Sequence, residues 1–313
     1  MLDLKSKKIL ITGGNGFLGK HLVKNLIEKR GVLESDLYLP KESELDLKKW
    51  ENCQKAAEGR DIIIHLAAKV GGIGYNREKP GELFYDNIIM GVQMMEAARL
   101  TKTEKFIAVG TVCAYPKFSP IPFKEENLWD GYPEETNAPY GLAKKMLLVQ
   151  SQAYRSQYGL NAVYLLPVNM YGPSDNFNPE SSHVIAALIK KIYEAKRDKK
   201  NYIEVWGTGK ASREFLYVED GAEGIILAAE NYDKGEPVNL GSGKEITIKD
   251  LVSMLSEIMD FKGEIRWDGS KPDGQPRRCL DISKAEREFG FKAKTNFIDG
   301  LKNTVDWYKN NPL

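Results

Sequence analysis

The sequence is poor in the residues from which disulfide frameworks and metal centres are built. Its 313 residues include three cysteines and three histidines. Cys53, Cys113 and Cys279 lie far apart, are odd in number and show no C-x-x-C spacing. This pattern argues against a disulfide framework, and it offers a zinc ion too few ligands. We therefore predict that the protein has no metal site.

An excess of one charge and long apolar segments are missing as well. The 45 lysines and arginines are nearly balanced by 44 acidic residues, which leaves a formal net charge of +1. A balanced charge does not support binding to nucleic acid or to a membrane surface. No apolar run approaches the roughly 20 residues that span a bilayer, and residues 1–8 contain no apolar signal core. We predict a cytoplasmic protein with no nucleic-acid and no membrane partner.

What the sequence does contain begins with a short apolar strand that leads into a glycine-rich turn. Residues 8–12 are mostly apolar, and glycines follow at 13, 16 and 19 before a run with helical spacing. Such glycines permit a tight turn, let backbone N–H groups approach a pyrophosphate and let the helix pack against the strand. Because a strand precedes the turn and a helix follows it, we interpret the turn as a dinucleotide site. Its predicted cofactor contacts are Gly13, Asn15, Gly16, Phe17, Leu18 and Gly19.

The end of the second predicted strand, residues 36–39, bears on the choice of cofactor. An NAD site would place an acidic residue there to bind the ribose 2′-hydroxyl. The chain instead continues with Pro40, Lys41 and Glu42. Because Lys41 can neutralise a 2′-phosphate, NADP(H) is favoured and NAD remains the alternative, as does an exposed loop lysine. Asp46 and Leu47 follow where such folds contact the adenine.

Tyr140 and Lys144 are the strongest candidates for catalysis. They lie four residues apart in a run with helical character, and residues at this spacing share one face of a helix. A free tyrosine has a pKa of about 10, and a neighbouring cation lowers it. The pair can therefore act as a general acid/base. Alone it also fits a surface pair, but together with the glycine-rich turn it favours catalysis.

The order of strands and helices predicts the fold class. We expect an α/β protein with a Rossmann-type doubly wound parallel sheet over 1–168, joined by about 211–235. Strands and helices alternate less regularly in residues 169–210 and 236–313. We predict that these residues form a smaller mixed α/β C-terminal substrate-binding lobe. Ligands of such sheets bind outside the carboxyl ends of the strands. Thr111 and Cys113 follow the predicted strand 105–110, so they lie where a substrate is expected.

Several segments resemble the extended short-chain dehydrogenase/reductase family and, within it, the GDP-L-fucose synthase family. They include Cys-Ala-Tyr-Pro at 113–116, Ser-His-Val-Ile at 182–185 and the long run at 167–177. The resemblance implies a GDP-4-keto-6-deoxy-hexose substrate, epimerised at C3 and C5 and reduced at C4 by NADP(H). The product would be GDP-L-fucose or a close relative. The resemblance also implies a homodimer formed through helices near 80–100 and 140–157.

The resemblance assigns roles to individual residues. Cys113 corresponds to the base of epimerisation and His183 to its acid. Tyr140 corresponds to the proton donor of the reduction, and Lys144 lowers its pKa and holds the cofactor ribose. Thr111 stands where serine is usual and binds O4. Without the resemblance, Cys113 would be interpreted as a buried apolar residue and His183 as the start of a helix.

The remaining implied contacts surround the two ligands. The diphosphate of a GDP-sugar carries about two negative charges and needs local cations. Lys191 stands where arginine is common. A lysine provides a point charge, whereas an arginine would offer a planar guanidinium that binds in a bidentate manner. The further cofactor contacts are Leu66, Ala67, Ala68, Asn87, Tyr140, Lys144, Pro167, Asn169, Met170 and His183. The substrate contacts are Asn169, Val184, Lys191, Trp206, Arg213 and Arg278.

Three other functions share parts of this pattern. An NAD-retaining nucleotide-sugar 4-epimerase or 4,6-dehydratase would have the same fold, glycine-rich turn and Tyr/Lys pair. A dehydratase would normally carry an Asp-Glu pair where Val112 and Cys113 stand. A reductase of another GDP-4-keto sugar, such as a heptose derivative, is a closer alternative. A dinucleotide sensor without turnover would not need Tyr140, Lys144 and Cys113.

Overall fold

The computed structural model describes residues 1–271 and 273–312. The strands in chain order are β1 (Ile9–Thr12), β2 (Leu37–Tyr38), β3 (Ile62–His65), β4 (Lys105–Val109), β5 (Asn161–Pro167), β6 (Asn169–Tyr171), β7 (Tyr202–Trp206), β8 (Ser212–Tyr217), β9 (Val238–Leu240), β10 (Glu245–Thr247) and β11 (Glu264–Asp268). The α-helices are α1 (Phe17–Arg30), α2 (Trp50–Ala57), α3 (Ile73–Glu78), α4 (Pro80–Leu100), α5 (Ala138–Tyr158), α6 (Val184–Arg197), α7 (Val218–Asn231), α8 (Ile248–Ile258), α9 (Ser283–Phe289) and α10 (Phe297–Asn310). Short 3₁₀ turns cover Glu34–Asp36, Val112–Ala114 and Glu125–Trp129.

A parallel sheet forms the centre of the larger part of the molecule. Its strand order is β2-β1-β3-β4-β5-β9, and every neighbouring pair is parallel. Strands β1, β3 and β4 are buried along their whole length because helices cover both faces of the sheet. Because these strands are parallel, their carboxyl ends meet at one edge, and the strand order reverses at β1 and β3, where such sheets bind ligands. The predicted doubly wound parallel sheet is confirmed.

A second hydrophobic core lies in the C-terminal half. It is built around a sheet of order β10-β8-β6, in which β10–β8 is antiparallel and β6–β8 is parallel, and a parallel pair β11-β7. Helix α6 supplies Leu188, Ile189 and Ile192, which pack with Leu255 of α8 and Leu301 of α10. This part is a mixed α/β assembly with its own core.

The structure differs from the predicted domain boundary at β9. The sequence pattern predicts that residues from 236 onward belong to the C-terminal lobe, but β9 pairs with β5 and completes the larger sheet. Leu280 and Phe289 also join the core of that sheet. The strand is short and fully buried, and its sequence carries no sign of which sheet it will join. Only the tertiary fold decides this pairing.

Two local predictions also need correction. The sequence predicts a loop over residues 69–74, but α3 begins at Ile73 inside this stretch. The second strand is shorter than predicted because Asp36 belongs to a 3₁₀ turn and Leu39 lies beyond the strand. Among the described residues, no helix is both long enough and apolar enough to pass through a bilayer.

Candidate active site

A cavity of about 1130 Å³ opens at the carboxyl edge of the parallel sheet and extends to α6, β7 and β8. Its volume exceeds that of ordinary ligand pockets, about 300–1,000 Å³, so it has room for a dinucleotide beside a second ligand. Nearly all predicted site residues line it. These are Gly13, Asn15, Gly16, Phe17, Leu18, Gly19, Lys41, Leu47, Leu66, Ala67, Ala68, Thr111, Cys113, Tyr140, Lys144, Pro167, Asn169, Met170, His183, Val184, Lys191, Trp206, Arg213 and Arg278.

Two predicted cofactor contacts do not belong to this lining. Asn87 is buried on α4, where its Nδ2 donates to the Lys69 carbonyl at 2.9 Å and its Oδ1 accepts from the Lys69 N–H at 3.0 Å. It therefore holds the loop after β3 rather than facing the cavity. The Asp46 carboxylate accepts from the Lys48 N–H at 3.0 Å within its own turn. Local hydrogen bonding takes both side chains away from the positions that the sequence suggested.

The close packing of the glycine-rich turn requires its glycines, because a side chain at these positions would collide with neighbouring backbone atoms. Gly13 has φ +73°, and a Cβ there would lie 2.9 Å from the Ala67 nitrogen. A Cβ on Gly19 would lie 2.3 Å from the Gly13 carbonyl oxygen, so α1 approaches β1 as closely as the chain allows. Asn15 Nδ2 donates to the Leu39 carbonyl at 3.0 Å and fixes the turn to the end of β2. The N-terminus of α1 is thereby placed for an anion.

Helix α5 presents Tyr140 and Lys144 to the same cavity. Pro139 lies in the first turn of the helix, where its missing N–H leaves no bond unmade. Lys144 is 2% exposed, and its carbonyl accepts a hydrogen bond from the Tyr164 hydroxyl at 2.9 Å. The helix therefore holds both functional groups on one wall of the cavity.

Burial controls the protonation of this pair more strongly than their proximity does. Desolvation raises the pKa of Tyr140 well above its usual value, with a further rise from Cys113, while a hydrogen bond with Thr111 acts in the opposite direction. Burial also lowers the pKa of Lys144 to about 8. The prediction that Lys144 lowers the pKa of Tyr140 is therefore not met. The phenol keeps its proton at neutral pH, which is the state that a proton donor requires.

Gly141 allows α5 to meet the segment that carries Cys113. A Cβ on Gly141 would lie 2.3 Å from the Cys113 carbonyl oxygen and 2.8 Å from its carbonyl carbon. Thr111 Oγ1 accepts from the Cys113 N–H at 3.2 Å and so shapes the 3₁₀ turn on the other side. This close approach brings Tyr140, Thr111 and Cys113 to one end of the cavity.

Replacement of Gly141 by alanine tests this close approach. An alanine in a helix normally stabilises a protein by about 0.5–1 kcal/mol relative to glycine, but here the methyl group meets backbone atoms that cannot move aside. We expect Gly141→Ala to lower the free energy of unfolding by about 1–3 kcal/mol, measured by urea denaturation. Gly81→Ala on α4 is the matched control, since a Cβ added there would meet no atom of the described residues within 4 Å. Equal stability of both variants would contradict the packing argument.

The Cys113 thiol lies between a guanidinium and an amide. Arg278 Nη1 donates to Cys113 Sγ at 3.5 Å, and the thiol faces Asn137 Oδ1 at 3.8 Å. The same Asn137 oxygen accepts from Asn76 Nδ2 at 3.2 Å, and Asn137 Nδ2 donates to the Glu134 carboxylate. A positive charge beside sulfur stabilises the thiolate, which is the reactive form of cysteine. Cys113 is therefore in a position to act as a base.

His183 occupies the N-cap position of α6 and lines the cavity. Desolvation within the cleft, followed by the positive charge of Arg278, lowers the pKa of its imidazole. The ring is therefore mainly neutral at pH 7 and takes up a proton below neutrality. Such a group can exchange a proton with a ligand in the cavity.

Arg213 and Lys191 provide positive charge at the end of the cavity that faces the second core. Arg213 is 9% exposed and donates to the carbonyls of Ser212 and Asp273 at 2.7 and 2.9 Å. Burial, and then the charge of Arg278, lowers the pKa of Arg213 to about 10. Lys191 donates to the Glu204 carbonyl at 2.9 Å and lies 5.9 Å from the centre of the Trp206 ring. This end suits an anionic ligand that also offers a planar ring.

Sequence reasoning missed several residues of the cavity. Asn137 and Gln275 line it, as do Asp273, Lys48 and Asp86. The segments 136–140 and 271–274, which contain Asn137 and Asp273, also resemble the family, so their position was a usable signal. Gln275 had no such signal, because its contact with Arg278 appears only in the folded chain.

The comparison with known families agrees with this geometry. Residues 9–241 match the model of the NAD dependent epimerase/dehydratase family. The chain belongs to this family. A probable GDP-L-fucose synthase 1 of Oryza sativa subsp. japonica is 38% identical over 312 residues, which cover 99% of this chain and 94% of that protein. The resemblance seen in the sequence is thus confirmed.

Solved structures extend the likeness to the whole fold. A GDP-6-OMe-4-keto-L-xylo-heptose reductase from C. jejuni superposes with a TM-score of 0.90 at 29% identity and covers 98% of both chains. A GDP-L-fucose synthetase from Naegleria fowleri bound to NADP has a TM-score of 0.87 at 27% identity, over 99% of this chain and 96% of that chain. Both share the arrangement of parallel sheet and C-terminal lobe.

Proposed function

We propose that this family member epimerises a GDP-4-keto-6-deoxy-hexose at C3 and C5 and reduces it at C4 with NADPH. The product is GDP-L-fucose or a close relative. One observation carries the proposal: a candidate base, Cys113, and a candidate proton donor, Tyr140, lie on different segments that meet at Gly141. A single sugar ring at this end of the cavity can contact both.

The chain's own residues account for the proton transfers of epimerisation. A ketone at C4 makes the protons at C3 and C5 acidic. Cys113, as thiolate, removes one of these protons and becomes a thiol, and the negative charge moves to O4. Thr111 can donate a hydrogen bond to O4. His183, once it has taken up a proton from solvent, returns a proton to the carbon from the other face, and the ketone forms again with inverted configuration.

Reduction uses the same end of the cavity. When bound, NADPH supplies a hydride to C4. Tyr140 donates its proton to O4, so the ketone becomes a hydroxyl and the charges balance. We assign the ribose to the buried Lys144 and the pyrophosphate to the turn between Gly13 and Gly19, all of which line the cavity. Arg213 and Lys191 offer cations to the GDP diphosphate, while Arg278 lies against Cys113.

An assay of NADPH oxidation with GDP-4-keto-6-deoxy-mannose tests the function. In D₂O, the expected result is stoichiometric oxidation, deuterium at C3 and C5, and GDP-L-fucose as product. Exchange without oxidation would mean an epimerase only. If neither oxidation nor exchange occurs and NAD co-purifies with the protein, the result contradicts the proposal and favours a nucleotide-sugar 4-epimerase.

A reductase of another GDP-4-keto sugar is the second candidate. The structural neighbour from C. jejuni, which is named as a heptose reductase, supports it. The resemblance implies serine at the position of Thr111, and the added methyl group would narrow the space beside O4. Parallel assays with GDP-4-keto-6-deoxy-mannose and a GDP-4-keto-heptose, compared by kcat/KM, distinguish the two.

NADP(H) rather than NAD is our proposal for the cofactor. Lys41 lines the cavity after β2 and is exposed, with Glu44 at 4.0 Å as its nearest ion-pair partner. We expect Lys41→Ala to weaken NADPH binding roughly tenfold, about 1.4 kcal/mol, and to leave NADH binding unchanged. Fluorescence titration with both cofactors measures this. Lys20→Ala, an exposed lysine of α1 outside the lining, is the control; equal losses for both cofactors would contradict a role in 2′-phosphate recognition.

The assembly and the compartment also belong to this proposal. Helices α4 and α5 pack side by side, and they expose Phe84, Tyr85, Val149 and Tyr158. Such exposed apolar groups on paired helices suit a homodimer interface. Cys53, Cys113 and Cys279 are free, which suits the reducing cytoplasm. Analytical ultracentrifugation tests the dimer.

A further inference from the structure

The guanidinium of Arg278 is held by an amide. Its Nε and Nη2 donate to Gln275 Oε1 at 3.2 and 2.9 Å, and its Nη1 donates to Cys113 Sγ at 3.5 Å. Within the described part of the chain, these two side chains are the hydrogen-bond partners of the guanidinium. The positive charge of Arg278 is therefore oriented without being paired by a carboxylate.

Gln275 is itself fixed by the segment that follows Cys113. It is 2% exposed, and its Nε2 donates to the Lys117 carbonyl at 3.2 Å. That bond determines which end of the amide faces Arg278, because only the nitrogen can donate. Gln275 thus links two segments beside the thiol. Lys117 belongs to the segment that carries Cys113, and Arg278 belongs to the same segment as Gln275.

The backbone at Arg278 is fixed as well. The Glu214 N–H donates to the Arg278 carbonyl at 3.0 Å, and the Leu280 N–H donates to Glu214 Oε2 at 2.6 Å. The backbone of Arg278 is hydrogen-bonded to β8 and its guanidinium to Gln275. The side chain therefore has little freedom to move away from the thiol.

We propose that Gln275 is a positioning residue for epimerisation: it holds Arg278 against Cys113 without cancelling its charge, so that the guanidinium stabilises the thiolate. A carboxylate at this place would form a charge-assisted pair with Arg278. Its negative charge would offset the positive potential that Arg278 produces at the Cys113 sulfur. An amide supplies the acceptor and adds no charge. The inference rests on the proposed function, since it takes Cys113 as the base. The thiol gives its proton to solvent before it removes one from carbon.

Other charged or titratable groups also face this thiol. Tyr140 approaches it from α5 and Arg213 from β8, while Glu134 lies behind Asn137 and His183 lies near Arg278. The Gln275 variants leave these residues in place, so the site of the change is the amide that contacts Arg278.

Two variants separate charge from shape. Gln275→Glu keeps an acceptor for Arg278 but adds a negative charge, whereas Gln275→Ala removes the acceptor. Both lose the bond to the Lys117 carbonyl, so the difference between them reports the charge. We expect iodoacetamide to alkylate Cys113 about tenfold more slowly at pH 7 in Gln275→Glu, and several-fold more slowly in Gln275→Ala. The pH profile of the rate should move upward in the same order. Mass spectrometry of the Cys113 peptide measures both.

A matched control and the C3/C5 exchange rate complete the test. Gln152→Glu, at an exposed glutamine of α5, makes the same chemical change and should alkylate like wild type. Deuterium exchange at C3 and C5 should slow in step with alkylation. Wild-type rates in Gln275→Glu would overturn the proposal, even if Gln275→Ala fails to fold. If alkylation depends on Gln275 but wild-type protein shows no exchange, the proposed reaction fails and the positioning of Cys113 stands.

Discussion

Tyr140→Phe should slow reduction at C4 by about 10²–10⁴-fold and leave NADPH binding and C3/C5 exchange in place. The phenol is the group that gives a proton to O4, and burial keeps that proton on the oxygen at neutral pH. Phenylalanine preserves the ring and its packing on α5. Single-turnover oxidation of NADPH, followed by absorbance, measures the loss, and exchange in D₂O shows that the substrate still binds.

Tyr158→Phe is the matched control for this change. Tyr158 lies at the other end of α5, where it is 47% exposed and its ring contacts Tyr154 edge to face. We expect wild-type turnover from it. Reduction at the wild-type rate in Tyr140→Phe would show that another group donates the proton. Loss of NADPH binding would instead indicate a structural role for the hydroxyl.

Cys113→Ser should slow deuterium exchange at C3 and C5 by about 10²–10⁴-fold. A thiol has a pKa of about 8.5, and an alcohol holds its proton much more tightly, so serine cannot supply the base even with Arg278 beside it. NADPH should still bind, because Cys113 is not among the residues proposed to hold the cofactor. Exchange is followed by mass spectrometry of the sugar nucleotide.

Cys279→Ser provides the comparison for this second variant. Cys279 is 7% exposed and is not part of the cavity lining, so its replacement should leave exchange unchanged. The two active-site variants are complementary: Tyr140→Phe keeps exchange and loses reduction, whereas Cys113→Ser loses exchange. If Cys113→Ser exchanged at the wild-type rate, the base would be another residue and the role of Gln275 would fall with it.

The sequence by itself determined the features that depend on short spacing along the chain. The glycines at 13, 16 and 19 follow β1 directly, so strand, turn and helix could be predicted from one continuous stretch. Tyr140 and Lys144 share a face of α5 because a helix repeats every 3.6 residues. The ends of β1, β3 and β4 meet at one edge because parallel strands all point the same way.

Tertiary structure alone decided the features that depend on distant parts of the chain. Arg278 reaches Cys113 across 165 residues of sequence, and β9 joins the larger sheet although it follows most of the second core. Sequence reasoning predicted a lowered pKa for Tyr140 from its neighbour Lys144, but the structure raises it. Desolvation is the sum over all atoms packed around a group, and that sum is known only once the fold has brought them together.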